Sequence, residues 1–149
     1  MNLFVLTALA VMCAAPALAS PETEVLAATD AVMAAINTRD AAAFDRIAGP
    51  DLVIQTIRFA ADGSSQMRSV SRAQILESFA KTPAPFDERL LGRNISITRD
   101  FAHVWAPYTL DIGGKRIHCG VDSFGFMKVA GTWRLTSLAW TADPQGCTL

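Results

Sequence analysis

Apolar residues keep three different rhythms along this chain. Residues 1–19 carry no charged side chain, and Leu3 to Ala15 run almost unbroken in apolar residues. From Pro21 to Asn37, Val25, Leu26, Thr29, Val32, Met33 and Ile36 recur at i, i+3, i+4 spacing, which predicts an amphipathic helix. A short second helix follows, capped by Asp40, with Phe44 and Ile47 facing inward and Gly49-Pro50 ending it. Asp51 to Phe59 reads as a strand, and Asp62-Gly63-Ser64-Ser65 turns it into a second strand near Gln66 to Val70. Ser71 with Gln74 forms a capping box for a third helix through Lys81, stopped by Pro83 and Pro85.

Beyond Phe86 the rhythm becomes extended. Four segments follow, Arg89 to Thr98, Ala102 to Ile112, Lys115 to Val129 and Thr132 to Ala142, joined by turns that include Gly113-Gly114 and Ala130-Gly131. Turns this short force antiparallel neighbours. Helices gathered early and a meander late predict an α+β domain in which three helices cover one face of a curved antiparallel sheet. Such a sheet leaves a cone with an open end, a natural place for a pocket.

The uncharged first block has the form of a signal peptide: an apolar run, a helix-breaking Pro16, and Ala17-Leu18-Ala19 as the small-x-small cleavage pattern. It divides the chain into a leader, 1–19, and one domain, 20–149, and implies an exported protein, periplasmic or secreted. The run is shorter than the ~20 residues that span a bilayer, and nothing after residue 20 resembles a second span. Loss of Cys13 with the leader leaves Cys119 and Cys147, an even number in an oxidising compartment, and they are expected to pair. The 13 basic and 14 acidic side chains give a net charge of −1. A chain so nearly neutral has no field to hold a phosphate backbone, so nucleic acid is not an expected partner. No cofactor motif appears.

The order helix, helix, hairpin, helix, meander resembles the nuclear-transport-factor-2-like superfold, the cone shared with ketosteroid isomerase and polyketide-cyclase-like proteins. Val104-Trp105-Ala106-Pro107-Tyr108, His118-Cys119-Gly120-Val121-Asp122-Ser123-Phe124, Gly131-Thr132-Trp133-Arg134-Leu135, and Thr141 with Cys147 look like its SnoaL-like, lumazine-binding subfamily. The likeness spans the whole domain. Relatives often carry basic residues after the threonine of the last strand, where this chain has Ala142 and Asp143. The resemblance implies a cone with a cavity and, in many members, pairing of two cones through the outer face of the sheet. Because the superfold hosts enzymes, binders and adaptors, it does not decide function.

Strand alternation places His118, Gly120, Asp122, Phe124 and Phe126 on one face and Cys119, Val121, Ser123 and Met127 on the other. The phenylalanines mark the first set as the inner face. His118 and Asp122 there need partners, since an unpaired buried polar group costs several kcal/mol. With a two-residue turn pairing Ile112 with Lys115, Asp122 falls opposite Trp105 and His118 opposite Thr109; a one-residue bulge brings Tyr108 to that wall instead. Trp105, Tyr108, His118, Asp122 and Phe124 are therefore the candidate ligand-binding residues, and His118 and Asp122 the candidate proton carriers. About 13 Å of strand separates the Cα atoms of those two, so no direct dyad is expected. Adjacent His118 and Cys119 point to opposite faces, and no metal site is expected.

The remaining charged residues read more simply. Arg58, at the end of the first strand, is either an anion receptor or a solvated edge residue; Arg39-Asp40 is a helix boundary; Asp87-Glu88-Arg89 is a solvated loop. Trp140 is out of phase with Trp133 unless the last strand bulges. If Val129 pairs with Thr132, Cys119 lies opposite Ala142, and the Asp143-Pro144-Gln145-Gly146 turn returns Cys147 to it. The leading expectation is an exported binder of a small apolar or aromatic molecule; an isomerase, dehydratase or cyclase using His118 or Asp122 comes second, and a protein-interaction module third.

Overall fold

The computed structural model describes residues 19–81 and 86–147. The leader up to Leu18, and Pro83 and Pro85, lie outside the described residues. Helix α1 (Pro21–Thr38) starts at Ser20, whose hydroxyl accepts the N–H of Thr23, and buries Val25, Thr29, Val32, Met33 and Ile36 of the stripe its periodicity marks, with Ala35 beside them and Leu26 half-buried. Helix α2 (Ala41–Ile47) is capped by Asp40 and buries Phe44. Strands β1 (Ala48–Phe59) and β2 (Ser65–Val70) form the hairpin, and α3 (Arg72–Lys81) follows the reciprocal Ser71–Gln74 capping box. Arg72 ties α3 to α2 through the Asp45 carboxylate and backbone carbonyl.

The sheet continues with β3 (Phe86–Leu90), β4 (Asn94–Thr98), β5 (Phe101–Ile112), β6 (Lys115–Val129) and β7 (Thr132–Ala142). The segment Arg89 to Thr98 is thus two strands rather than one. Leu91 to Arg93 break it, and both pieces pair with β5. Strand order is β2-β1-β7-β6-β5-β3, with β4 also on β5. The sheet is mixed, not purely antiparallel, because β1 and the C-terminal β7 run parallel. A hairpin consumes its own turn, so the chain can join its first strand to its last only through long-range pairing, and here that pairing is parallel.

Two bulges set which residues face inward. Between β5 and β6 the register runs Ile112↔Lys115 and Asp111↔Arg116, then Leu110↔His118, which leaves Ile117 unpaired. Between β6 and β7 it slips at Gly125/Phe126, so Thr136 is the extra residue. Each bulge adds one residue to a strand and bends it. The second puts Trp140 back in phase with Trp133. The enclosed core runs through Val25, Val32, Ile36 and Phe44 to Ile54, Val104, Phe124, Phe126 and Leu135. Burying each such side chain contributes about 1.5–3 kcal/mol. The partly exposed Glu24 carboxylate near the start of α1 accepts from Lys128 Nζ and Trp133 Nε1, which anchors the helix to the β6–β7 hairpin. Cys119 and Cys147 form a disulfide with Cα atoms 5.1 Å apart, and Cys119 pairs with Asp143, one residue beyond Ala142, because of the Thr136 bulge.

Candidate functional site

A cavity of about 280 Å³ lies between the inner face of the sheet and the three helices. Ile36, Phe44, Ile75, Phe79, Leu138 and Trp140 make its apolar wall, and Arg39, Arg58, Glu88, His118 and Asp122 bring charge or polarity to it. That is at the small end for a ligand site.

His118 is 6% exposed, and its Nδ1 lies 3.0 Å from Tyr108 Oη. The single phenol hydrogen is already given to the Thr141 carbonyl at 2.8 Å, so Nδ1 carries the proton and donates to Tyr108. This fixes the tautomer and leaves the Nε2 lone pair as the acceptor. Burial, and then the nearby Arg58 charge, hold the imidazole pKa below its ordinary value, which keeps it neutral near pH 7. Burial likewise pushes the Tyr108 phenol up, so it stays a donor.

Asp122, 3% exposed, faces Glu88 from β3 across the cavity, close enough that each carboxyl acts on the other's protonation. Two carboxylates placed so repel each other, which favours a proton on one of them. Burial raises the Glu88 pKa to about 7, and burial with the Glu88 charge raises that of Asp122 well above the ordinary carboxyl range. No protein donor reaches Asp122 Oδ2. Register alone does not join the pair, because Glu88 stands opposite Leu110 and Asp122 opposite Ala106; the curl of the sheet brings their side chains to one cavity. Asn37 at the end of α1 fixes Glu88 in place: its Oδ1 accepts the Glu88 N–H at 2.7 Å and its Nδ2 donates to the Glu88 carbonyl at 2.9 Å. Arg39, the left-handed cap residue of α1 with φ 59°, lays its guanidinium over the rings of Phe79 and Phe86, 4.7 and 4.4 Å from their centroids, and donates to the Ser78 carbonyl.

The sequence-derived candidates therefore separate. His118 and Asp122 line the cavity, and Tyr108, 1% exposed, stands behind His118 as its partner. Trp105 does not belong: the Ile117 bulge puts it opposite Ser123 on the outer face, 46% exposed. Phe124 is core, stacked on Phe126 at 6.4 Å, and is not part of the cavity wall. Glu88, read as part of a solvated loop, is the carboxyl partner that Asp122 lacked on paper. The signal for it is present in Phe86-Asp87-Glu88-Arg89-Leu90, where alternation sets Glu88 on the same face as two apolar residues.

Solved structures share this architecture. An NTF2-like protein from Cytophaga hutchinsonii superposes with a TM-score of 0.64 at 15% identity, over 83% of this chain and 99% of that one. The chain has the nuclear-transport-factor-2-like fold. A protein from Nostoc punctiforme described as having a cystatin-like fold matches with a TM-score of 0.65 at 13% identity, over 86% and 95% of the two chains. A candidate dehydratase of the NTF2-like family from Streptomyces avermitilis matches with a TM-score of 0.59 at 17% identity, over 83% and 98%. No protein-family model matches the sequence, and no curated protein matches it significantly. Within this nuclear-transport-factor-2-like cone, the helices and the inner sheet face enclose the cavity, and among the described residues the outer face carries exposed apolar side chains such as Met67, Trp105 and Met127.

Proposed function

We propose that this chain binds a small, mostly apolar molecule in the cavity and moves a proton on it, as an isomerase or dehydratase does. The observation that carries the reading is the meeting of the Glu88 and Asp122 carboxyls, both with raised pKa values, on the same cavity as the Nε2 acceptor of His118. A pair holding one proton can give it to an oxygen that gains negative charge, while its ionised member or His118 takes a proton from carbon. Groups that titrate near 7 are the ones able to do both at neutral pH. The apolar wall excludes water and strengthens these interactions. A direct test uses 2-tetralone, a small ketone with acidic C–H bonds, in D2O. NMR should show faster exchange at the α-carbon with the protein than without it, and Asp122→Asn and His118→Gln should each cut the gain at least tenfold. Wild-type rates equal to buffer across pH 5–9 would leave a binder without proton chemistry.

Export is proposed on two supports: the leader pattern of residues 1–19 and the Cys119–Cys147 disulfide, a bond that persists in oxidising compartments. Among the described residues no helix is long and apolar enough to cross a membrane. The outer sheet face supports a homodimer, since Ile57, Met67, Phe101, Trp105 and Met127 are exposed there and a groove of about 170 Å³ runs past Trp105 and Met67. Sedimentation equilibrium of the wild type against Trp105→Glu checks it: a dimer that dissociates in the variant is expected, and a monomeric wild type removes the proposal. The likeness to the lumazine-binding subfamily rests on the sequence segments quoted above.

A further inference from the structure

We infer that the molecule handled in this cavity is a small organic monoanion, a carboxylate on an apolar body, received by Arg58. This rests on the proton-transfer reading above for the site and names the substrate class of that site. Five ionisable side chains line the cavity, and Arg39, Glu88, Asp122 and His118 each have a protein group close by. The Arg39 guanidinium faces Glu88 and is seated between two phenyl rings. On the proton-transfer reading Glu88 and Asp122 hold one proton between them and so carry one negative charge, which the nearby Arg39 offsets. His118 is neutral, its Nδ1–H given to Tyr108.

Arg58 is left over. Arg72, Arg89, Arg93 and Arg116 have aspartate partners; Arg58, like Arg39, Arg46, Arg68, Arg99 and Arg134, forms no ion pair among the described residues, and of the two cavity arginines it alone also makes no hydrogen bond. It sits on β1 in register with Ala142 of β7 and lines the cavity. It lines the same cavity as His118, near enough for its charge to act on both His118 and Tyr108. A ligand carboxylate on Arg58 would neutralise the one unbalanced charge in the wall. Its apolar body would then lie against Leu138 and Trp140, within reach of the proton carriers. A guanidinium fork matches a carboxylate in two parallel hydrogen bonds. A phosphate dianion fits less well: a second negative charge would meet the carboxyl pair with no second unpaired cation to hold it.

The test compares trans-cinnamate with the uncharged, similarly shaped cinnamamide by NMR titration at low salt, on wild type, Arg58→Gln and Arg58→Lys. The exposed position of Arg58 leaves all three folded, which melting curves check. Wild type should bind cinnamate at least tenfold more tightly than cinnamamide, the preference should vanish in Arg58→Gln, and Arg58→Lys should keep part of it. Equal binding of the two compounds, an Arg58→Gln protein that still prefers the acid, or no cinnamate binding at millimolar concentration overturns the inference. Infrared spectra of the carboxyl groups in unliganded protein read the proton-transfer site independently. A shared-proton band without cinnamate preference defeats the anion inference alone, and cinnamate preference without that band defeats the proton-transfer reading alone.

Discussion

Asn37 grips both backbone polar groups of Glu88, 51 residues along the chain, and so fixes a cavity carboxyl from the end of a helix. Replacing it with Ala leaves a part-buried N–H and carbonyl without partners on an edge strand. The expected loss is roughly 1–3 kcal/mol of stability, read by urea denaturation. Because Glu88 is also displaced from Asp122, the shared-proton infrared band should weaken, which a purely structural tie would leave unchanged.

Glu88 and Asp122 give the fold an inverted pH dependence. Their native pKa values lie above the unfolded ones, so between about pH 4.5 and 7 the native state holds protons that the unfolded chain has released. Their contribution to stability is present below pH 4.5 and is lost as pH rises through 7. For Glu88 alone the shift from 4.5 to about 7 corresponds to roughly 3 kcal/mol. Glu88→Gln should flatten this slope; an unchanged slope in denaturation from pH 4 to 8 contradicts the pairing.

Tyr108→Phe removes both hydrogen bonds that set the His118 tautomer. A loss of about 1–3 kcal/mol is expected from the orphaned Thr141 carbonyl and His118 Nδ1. The sharper readout is nitrogen NMR of the imidazole: one tautomer in wild type, a mixture in the variant.

Gly120→Ala probes how closely β6 and β7 approach. A Cβ there would stand 2.0 Å from the Thr141 carbonyl oxygen, a backbone atom that cannot swing aside. Strand separation should destabilise the protein by about 1–3 kcal/mol or more, and it should also disturb the Tyr108–Thr141 bond, visible as a changed His118 titration. A melting temperature equal to wild type would contradict the packing.

Opening the disulfide should destabilise the fold by roughly 3–4 kcal/mol, whether by Cys147→Ser or by reductant, given the 28-residue separation it closes. Equal denaturation midpoints with and without reductant would show that the bond adds nothing.

The sequence patterns mark the helices, the hairpin and the late strands closely, because each has a strong period and a physical stop. They do not mark the bulges. Ile117 and Thr136 are ordinary strand residues, and what makes them bulge is the need to bend long strands around the core, a tertiary demand with no local signature. Those two residues decide that Tyr108 rather than Trp105 belongs to the wall with His118, and that Trp140 faces the cavity. Glu88 shows a different limit: its face is readable, but its meeting with Asp122 depends on sheet curvature over two strands. The parallel β1–β7 pairing is hidden for the same reason, being a contact between the two ends of the domain.

Trp140 borders both hollows, the inner cavity and the outer groove, so a single indole forms part of the partition between them. That makes it a natural optical reporter. With Trp105 and Trp133 changed to Phe, its emission maximum and quenching would register filling of the inside and covering of the outside as separate events, and would reveal whether either one is felt across the wall.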